Sequence, residues 1–131
     1  MKAVYLDSSA FVKLVVTEAE STELRSFLAT HEARRVSSSL LRAEALRAVR
    51  HLGPDALAIA REGLRRVDLI AIDDRILDAA GILEPRMLRT LDAIHLATAM
   101  ALGPELDAFV TYDVRLAEAG RAIGLPVIAP A

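Results

Sequence analysis

The run Ala3-Val4-Tyr5-Leu6-Asp7-Ser8-Ser9 decides how the rest of the chain is read. Four apolar positions without alternation are the pattern of a strand buried on both faces, the condition of a parallel sheet. Asp7-Ser8-Ser9 then supplies N-cap chemistry, so the strand hands over to a helix that runs to about Val16. A parallel neighbour for such a strand can only be reached through a crossover. The same strand, acid and helix grammar recurs downstream.

Thr17-Glu18-Ala19-Glu20 has capping-box spacing and predicts a second helix to about Ala29. Arg34–Ser37 reads as a short strand, and Ser37-Ser38-Ser39 caps a helix to about His51. Gly53-Pro54 breaks that helix and starts another, to about Arg66. Val67–Ile72 is a predicted strand with Asp73-Asp74 at its end and a helix to about Gly81. Pro85 or Arg86 opens a long helix stopped by Gly103-Pro104. Ala108–Thr111 is a strand, Asp113–Ala122 a helix and Pro126–Ala129 a last strand. The alternation predicts a parallel α/β sandwich with right-handed crossovers. A chain of 131 residues without repeat or linker predicts one domain over 1–131.

Hydrophobic residues make up 53% of the chain, which excludes disorder. No apolar run reaches the roughly 18 residues of a membrane span. Asp7 within the first apolar segment argues against a secretory signal, so the expected compartment is the cytoplasm. The absence of cysteine excludes disulfides, thiolate metal sites and cysteine nucleophiles. A net charge of −2 argues against a basic groove over the whole surface, although a local one is allowed. All basic residues except Lys2 and Lys13 are Arg, which binds phosphate bidentately, although GC-rich coding has the same effect.

In open parallel sheets ligands bind at the carboxyl ends of the strands. Asp7, Asp73, Asp74 and Asp113 fall there, and each can equally be an N-cap. Two other acids lie on apolar helix faces: Asp92 among Leu88, His95, Leu96 and Ala99, and Glu44 among Leu40, Leu41 and Ala48. Burying an unpaired carboxylate costs several kcal/mol, so such groups are paired, protonated or bound to a cation. A structural pair such as Glu44 with Arg47 is one solution. A carboxylate cluster without soft ligands is the other, and it suits Mg²⁺ or Mn²⁺ and phosphodiester chemistry.

Four segments settle the comparison: Val4-Tyr5-Leu6-Asp7-Ser8-Ser9-Ala10, Ser38–Glu44, Leu91-Asp92-Ala93-Ile94-His95-Leu96-Ala97-Thr98-Ala99, and Phe109-Val110-Thr111-Tyr112-Asp113. In order and spacing they resemble the PIN domain, specifically the VapC-type endoribonuclease toxins of bacterial type II toxin–antitoxin pairs. The resemblance implies a PIN-like three-layer α/β/α sandwich with a short-stranded central parallel sheet. It implies an acidic pocket for Mg²⁺, with Mn²⁺ able to substitute. The family's acidic positions fall on Asp7, Glu44, Asp92 and Asp113, as catalytic and metal-holding residues. Ser9 matches a small hydroxyl near the metal, and Thr111 a hydroxyl that orients the cluster. Asp73 and Asp74 match no family position and return to the N-cap reading.

The implied activity is hydrolysis of RNA phosphodiester bonds, in tRNA or rRNA, inhibiting translation and growth. The implied partners are a second copy in a homodimer and a cognate antitoxin covering the pocket. The apolar helices on either side of Gly53-Pro54 are candidate surfaces for either. A catalytically silent PIN-like module that binds RNA or protein is the alternative, and the retention of all four acids favours activity. Haloacid-dehalogenase-type phosphatases need a second Asp where Ser9 stands, and receiver domains need a late Lys that this chain lacks. Of the histidines, His31 and His51 read as solvent-facing helix ends. His95 is either a hydrogen-bonded core residue or a ligand or general base. Arg86, Arg89 and Arg115 are either surface charges or contacts to RNA phosphates.

Overall fold

In the computed structural model, which describes residues 1–131, the opening apolar run forms strand β1 (Ala3–Leu6), buried along its whole length. β1 pairs in parallel with β2 (Arg34–Ser38) on one side and β4 (Leu106–Val110) on the other, Tyr5 facing Val36 and Phe109 in register. β3 (Asp68–Ile70) pairs with β2, and β5 (Val127–Ile128) with β4, completing an all-parallel sheet of order β3-β2-β1-β4-β5. The chain moves outward from β1 to β3 and then crosses back to β4. The carboxyl ends of β1 and β4 therefore flank the switch in direction where such sheets bind ligands.

Seven α-helices connect the strands: α1 (Ser8–Val15), α2 (Ser21–Thr30), α3 (Leu41–Val49), α4 (Pro54–Leu64), α5 (Asp74–Gly81), α6 (Thr90–Met100) and α7 (Val114–Ala122). Alternate residues of β1 separate the two cores. Ala3 and Tyr5 pack with Leu96 and Ala99 of α6 and Leu116 and Ala119 of α7. Val4 and Leu6 pack with Ala10 of α1 and Leu24 and Leu28 of α2. Phe11 of α1 then meets Leu41 and Ala45 of α3 and Leu64 of α4. This is the expected three-layer α/β/α arrangement, and no helix is long and apolar enough to cross a membrane.

Local chemistry explains four of the seven helix starts. Asp7, Asp73 and Asp113 cap α1, α5 and α7 by accepting the amides of Ala10, Ile76 and Leu116 at 2.9, 2.9 and 3.0 Å. Gly53 adopts φ 97° between a 3₁₀ turn (Arg50–Leu52) and α4, a conformation that costs glycine nothing and other residues a Cβ clash.

Three expected helix starts fail. α3 has Leu40 at its N-cap with no side-chain capping bond, and the Ser38 hydroxyl accepts the amide of Leu40, one residue before the helix. The second helix starts at Ser21, and the Thr17–Glu20 capping box does not form. The Ser21 hydroxyl instead donates to the Lys13 carbonyl at 2.7 Å and accepts the Glu18 amide at 2.8 Å, while Glu20 pairs with Lys13 Nζ at 2.7 Å. Tertiary partners thus take the groups a capping box would use. The long helix likewise starts at Thr90, after an extended Arg89 (ψ 148°), and not at Pro85 or Arg86. Leu88 sits in a turn, its amide bonded to the Pro85 carbonyl at 3.0 Å, and packs its side chain under α6 and α7 from there. The apolar stripe through Leu88 is real as packing and false as helix, and Asp92 consequently lies in the first turn of α6.

Candidate active site

Asp7 ends β1 and is buried, at 2% exposure, without a cationic partner of its own. Three donors hold it instead. Oδ1 accepts the Ser9 hydroxyl at 2.7 Å and the Ala10 amide at 2.9 Å, and Oδ2 accepts the Thr111 hydroxyl at 2.5 Å. Burial pushes the Asp7 carboxyl above its ordinary range, and these three bonds pull it partly back.

Ser9 and Thr111 also tie the two strand ends together. The Ser9 hydroxyl accepts the Tyr112 amide at 2.9 Å, and Thr111 Oγ1 accepts the Asp113 amide at 3.1 Å. Asp113 is thereby fixed twice, once by its amide and once by its cap on α7.

Asp92 approaches from α6, with Arg89 Nε 3.5 Å from Oδ2 and the side chain 19% exposed. Its carboxyl is raised first by desolvation. Arg89 and His95 lower it, while the charges of Asp113 and Glu44 raise it further. Glu44, on α3, pairs not with Arg47 but with His95, whose Nε2 lies 2.6 Å from Oε1. His95 Nδ1 in turn lies 2.6 Å from the hydroxyl of Tyr5, which accepts the Ser38 amide at 3.1 Å. His95 is a hydrogen-bonded core histidine, 1% exposed, attached to a candidate site acid. Burial holds the Tyr5 phenol far above its ordinary range.

The structure therefore bonds Asp7, Ser9, Thr111 and Asp113 into one network, and couples Asp92 electrostatically to Asp113 and Glu44. As arranged, no three Asp, Glu or His side chains form a ligating cluster. The donor set nevertheless fits a hard cation. It is made of carboxylate oxygens and hydroxyls, and Asp92 and Asp7 carry like-charge or desolvation stress that a cation relieves. Mg²⁺ keeps most of its waters and takes one or two carboxylates directly, so it needs no cage of three.

Arg89 and Arg115 line a cleft of about 710 Å³ with Asp92, Met87, Leu88 and Ile123, whereas Arg86 borders a separate depression with Ile82 and Thr90. Asp73 caps α5 and Asp74 is exposed in its first turn, and neither bonds to the network. His51 is exposed as expected. His31 is not: it is half-buried, its ring centroid 3.9 Å from that of Phe27. The helices around Gly53-Pro54 turn Leu41, Ala45 and Leu64 into core and leave Leu52 and Ile59 half exposed. Sequence reasoning missed Tyr5 as a polar partner. It read as one more apolar strand residue, and nothing local signals a contact 90 positions away.

The sequence profile of the PIN domain matches residues 4–122. The chain is 52% identical over 130 residues to Ribonuclease VapC46 of Mycobacterium tuberculosis, covering 99% of each. It is 43% identical over 130 residues to Ribonuclease VapC35 of the same species, covering 97% of this chain and 96% of that one. Among solved structures, a toxin–antitoxin complex from Klebsiella pneumoniae shares the fold with a TM-score of 0.75 at 19% identity, covering 98% of each chain.

Proposed function

The chain belongs to the PIN-domain family, among the VapC ribonucleases, and we propose that it is the Mg²⁺-dependent endoribonuclease toxin of a toxin–antitoxin pair. The observation that supports this most is the meeting of buried Asp7 with Asp113 through Thr111, beside an Asp92 that feels the charges of both Asp113 and Glu44. On this reading residues 1–131 act as one domain in the cytoplasm, as a homodimer, on tRNA or rRNA, and a cognate antitoxin covers the pocket.

Asp7, Glu44, Asp92 and Asp113 would hold Mg²⁺, or Mn²⁺ in its place, directly or through water. When bound, the cation lowers the pKa of an attacking water and neutralises charge on the phosphoryl group. The chain's own residues do the rest. The Ser9 and Thr111 hydroxyls and the Ala10 amide favour ionised Asp7 and fix its rotamer, so no reorganisation is needed during reaction. The double anchoring of Asp113 does the same at the neighbouring strand end. Arg89 and Arg115, on the cleft beside Asp92, would neutralise backbone phosphates and align the scissile bond.

The test is incubation of the purified protein with total cellular RNA in Mg²⁺ or EDTA, with cut ends mapped, alongside Asp92→Asn. Internal cuts that require Mg²⁺ or Mn²⁺ and vanish in the variant are expected. Cutting that persists unchanged in EDTA removes the metal from the reading. A folded protein that cuts no RNA under any condition is a silent binding module. Growth arrest on expression, relieved by the product of the adjacent upstream gene, tests the toxin–antitoxin part.

A further inference from the structure

Tyr5 on β1, His95 on α6 and Glu44 on α3 form a continuous relay, with both links 2.6 Å long. The direction of each bond follows from the groups available. Glu44 Oε1 is a carboxylate oxygen and accepts, so His95 Nε2 carries a hydrogen and donates it. In the neutral ring Nδ1 then has no hydrogen and accepts the Tyr5 hydroxyl, whose oxygen accepts the Ser38 amide. The ring is further seated edge-on to Tyr5, with centroids 5.8 Å apart at 86°. Every buried side-chain polar atom of the protein has a partner, and the relay accounts for both ring nitrogens.

The residues flanking His95 on α6, Ile94 and Leu96, are both buried and apolar. An apolar side chain would fill such space without desolvating two nitrogens. The ring's distinctive contribution is a rigid N–H delivered to one carboxylate oxygen. Glu44 has no other hydrogen-bond partner, and its side chain is 22% exposed, so without that N–H it would sample several rotamers.

We propose that His95, locked in its Nε2–H form by Tyr5, is a positioning residue that orients Glu44 for the divalent cation of the acidic pocket. This inference rests on the reading of Glu44 as a site acid given above. It assigns no proton transfer to His95. The ring holds a ligand in place, with Oε1 engaged and Oε2 left free of protein partners.

The test is Mn²⁺ binding to the metal-free protein by titration calorimetry, with variants whose fold is checked by circular dichroism. His95→Ala removes the donor and is expected to weaken Mn²⁺ binding by about 10–100-fold. His95→Gln presents an amide N–H near the position of Nε2 and is expected to recover most of that loss, which a purely space-filling role would not produce. Nitrogen-15 spectra of the metal-free parent should show His95 with its hydrogen on Nε2, and Tyr5→Phe should release the other tautomer. Parental Mn²⁺ affinity in His95→Ala, while Glu44→Gln binds weakly, overturns this inference alone. Parental affinity in Glu44→Gln overturns the assignment of Glu44 itself. Should the His95 variants not fold, a hydrogen found on Nδ1 in the parent is sufficient to reject the relay.

Discussion

The Thr111 hydroxyl donates to Asp7 Oδ2 at 2.5 Å, joining two residues 104 positions apart just beyond the ends of adjacent strands β4 and β1. The same oxygen of Thr111 accepts the Asp113 amide. Thr111→Val keeps the shape and removes both bonds. A buried carboxylate and a backbone amide then lose a partner, and stability should fall by about 1–3 kcal/mol. Thr111→Ser, which restores the hydroxyl, should recover most of it. Urea unfolding of the three proteins without metal checks this, and equal midpoints would show that the bridge contributes nothing.

The Asp92 carboxyl is raised by burial above all, then by Asp113 and Glu44, against the opposing pull of Arg89 and His95. A carboxyl with a higher pKa folded than unfolded binds more protons in the fold. Its stabilising contribution is complete below the unfolded value, near pH 4, and is lost as pH rises through the folded value. The metal-free parent should therefore lose ground to Asp92→Asn as pH increases from about 4 to neutrality. Melting temperatures of both across that range measure it. Added Mg²⁺ should reverse the difference at neutral pH, by stabilising only the parent. A pH-independent difference would mean that Asp92 is not under charge stress.

Three aspartates cap helices, and two of them are proposed to do more. Asp73→Ala should cost about 0.5–2 kcal/mol through the lost bond to the Ile76 amide and leave RNA cleavage untouched. Asp113→Asn keeps a capping oxygen for the Leu116 amide, so its stability should stay near that of the parent while cleavage is lost. Parallel unfolding and cleavage assays separate the two roles. Asp113→Asn with full activity would return Asp113 to a purely structural part.

Gly120 lies where α7 crosses β5, and a Cβ there would stand 2.8 Å from Val127 Cγ2. Alanine is the better helix former, yet overpacking should dominate and destabilise Gly120→Ala by about 1–3 kcal/mol. The combination Gly120→Ala with Val127→Ala should restore part of the loss if the clash is the cause. Calorimetric melts of the two variants decide it.

What the sequence made legible was local. Ala3–Leu6, the caps at Asp7, Asp73 and Asp113, and the break at Gly53-Pro54 each follow from neighbours within a few positions. The starts of α2 and α6 did not, because Ser21 and Leu88 spend their bonding and burial on residues outside their own segments. The candidate acids were visible as charges on apolar faces, and their identity came from the resemblance. The Tyr5–His95–Glu44 relay was invisible because its links span 90 and 51 positions, and only the strand order closes them.

That strand order has a consequence in time as well as in space. β1 sits between β2, from the first half of the chain, and β4, from the second. A ribosome releases Asp7 and Glu44 early, but β1 stays open on one side until Leu106–Val110 emerges, and Asp113 follows only then. A nascent chain thus carries Asp7, Glu44 and Asp92 on an unfinished sheet, with only Asp113 still to come. The enzyme proposed here would complete its set of four acids only once β4 has paired with β1.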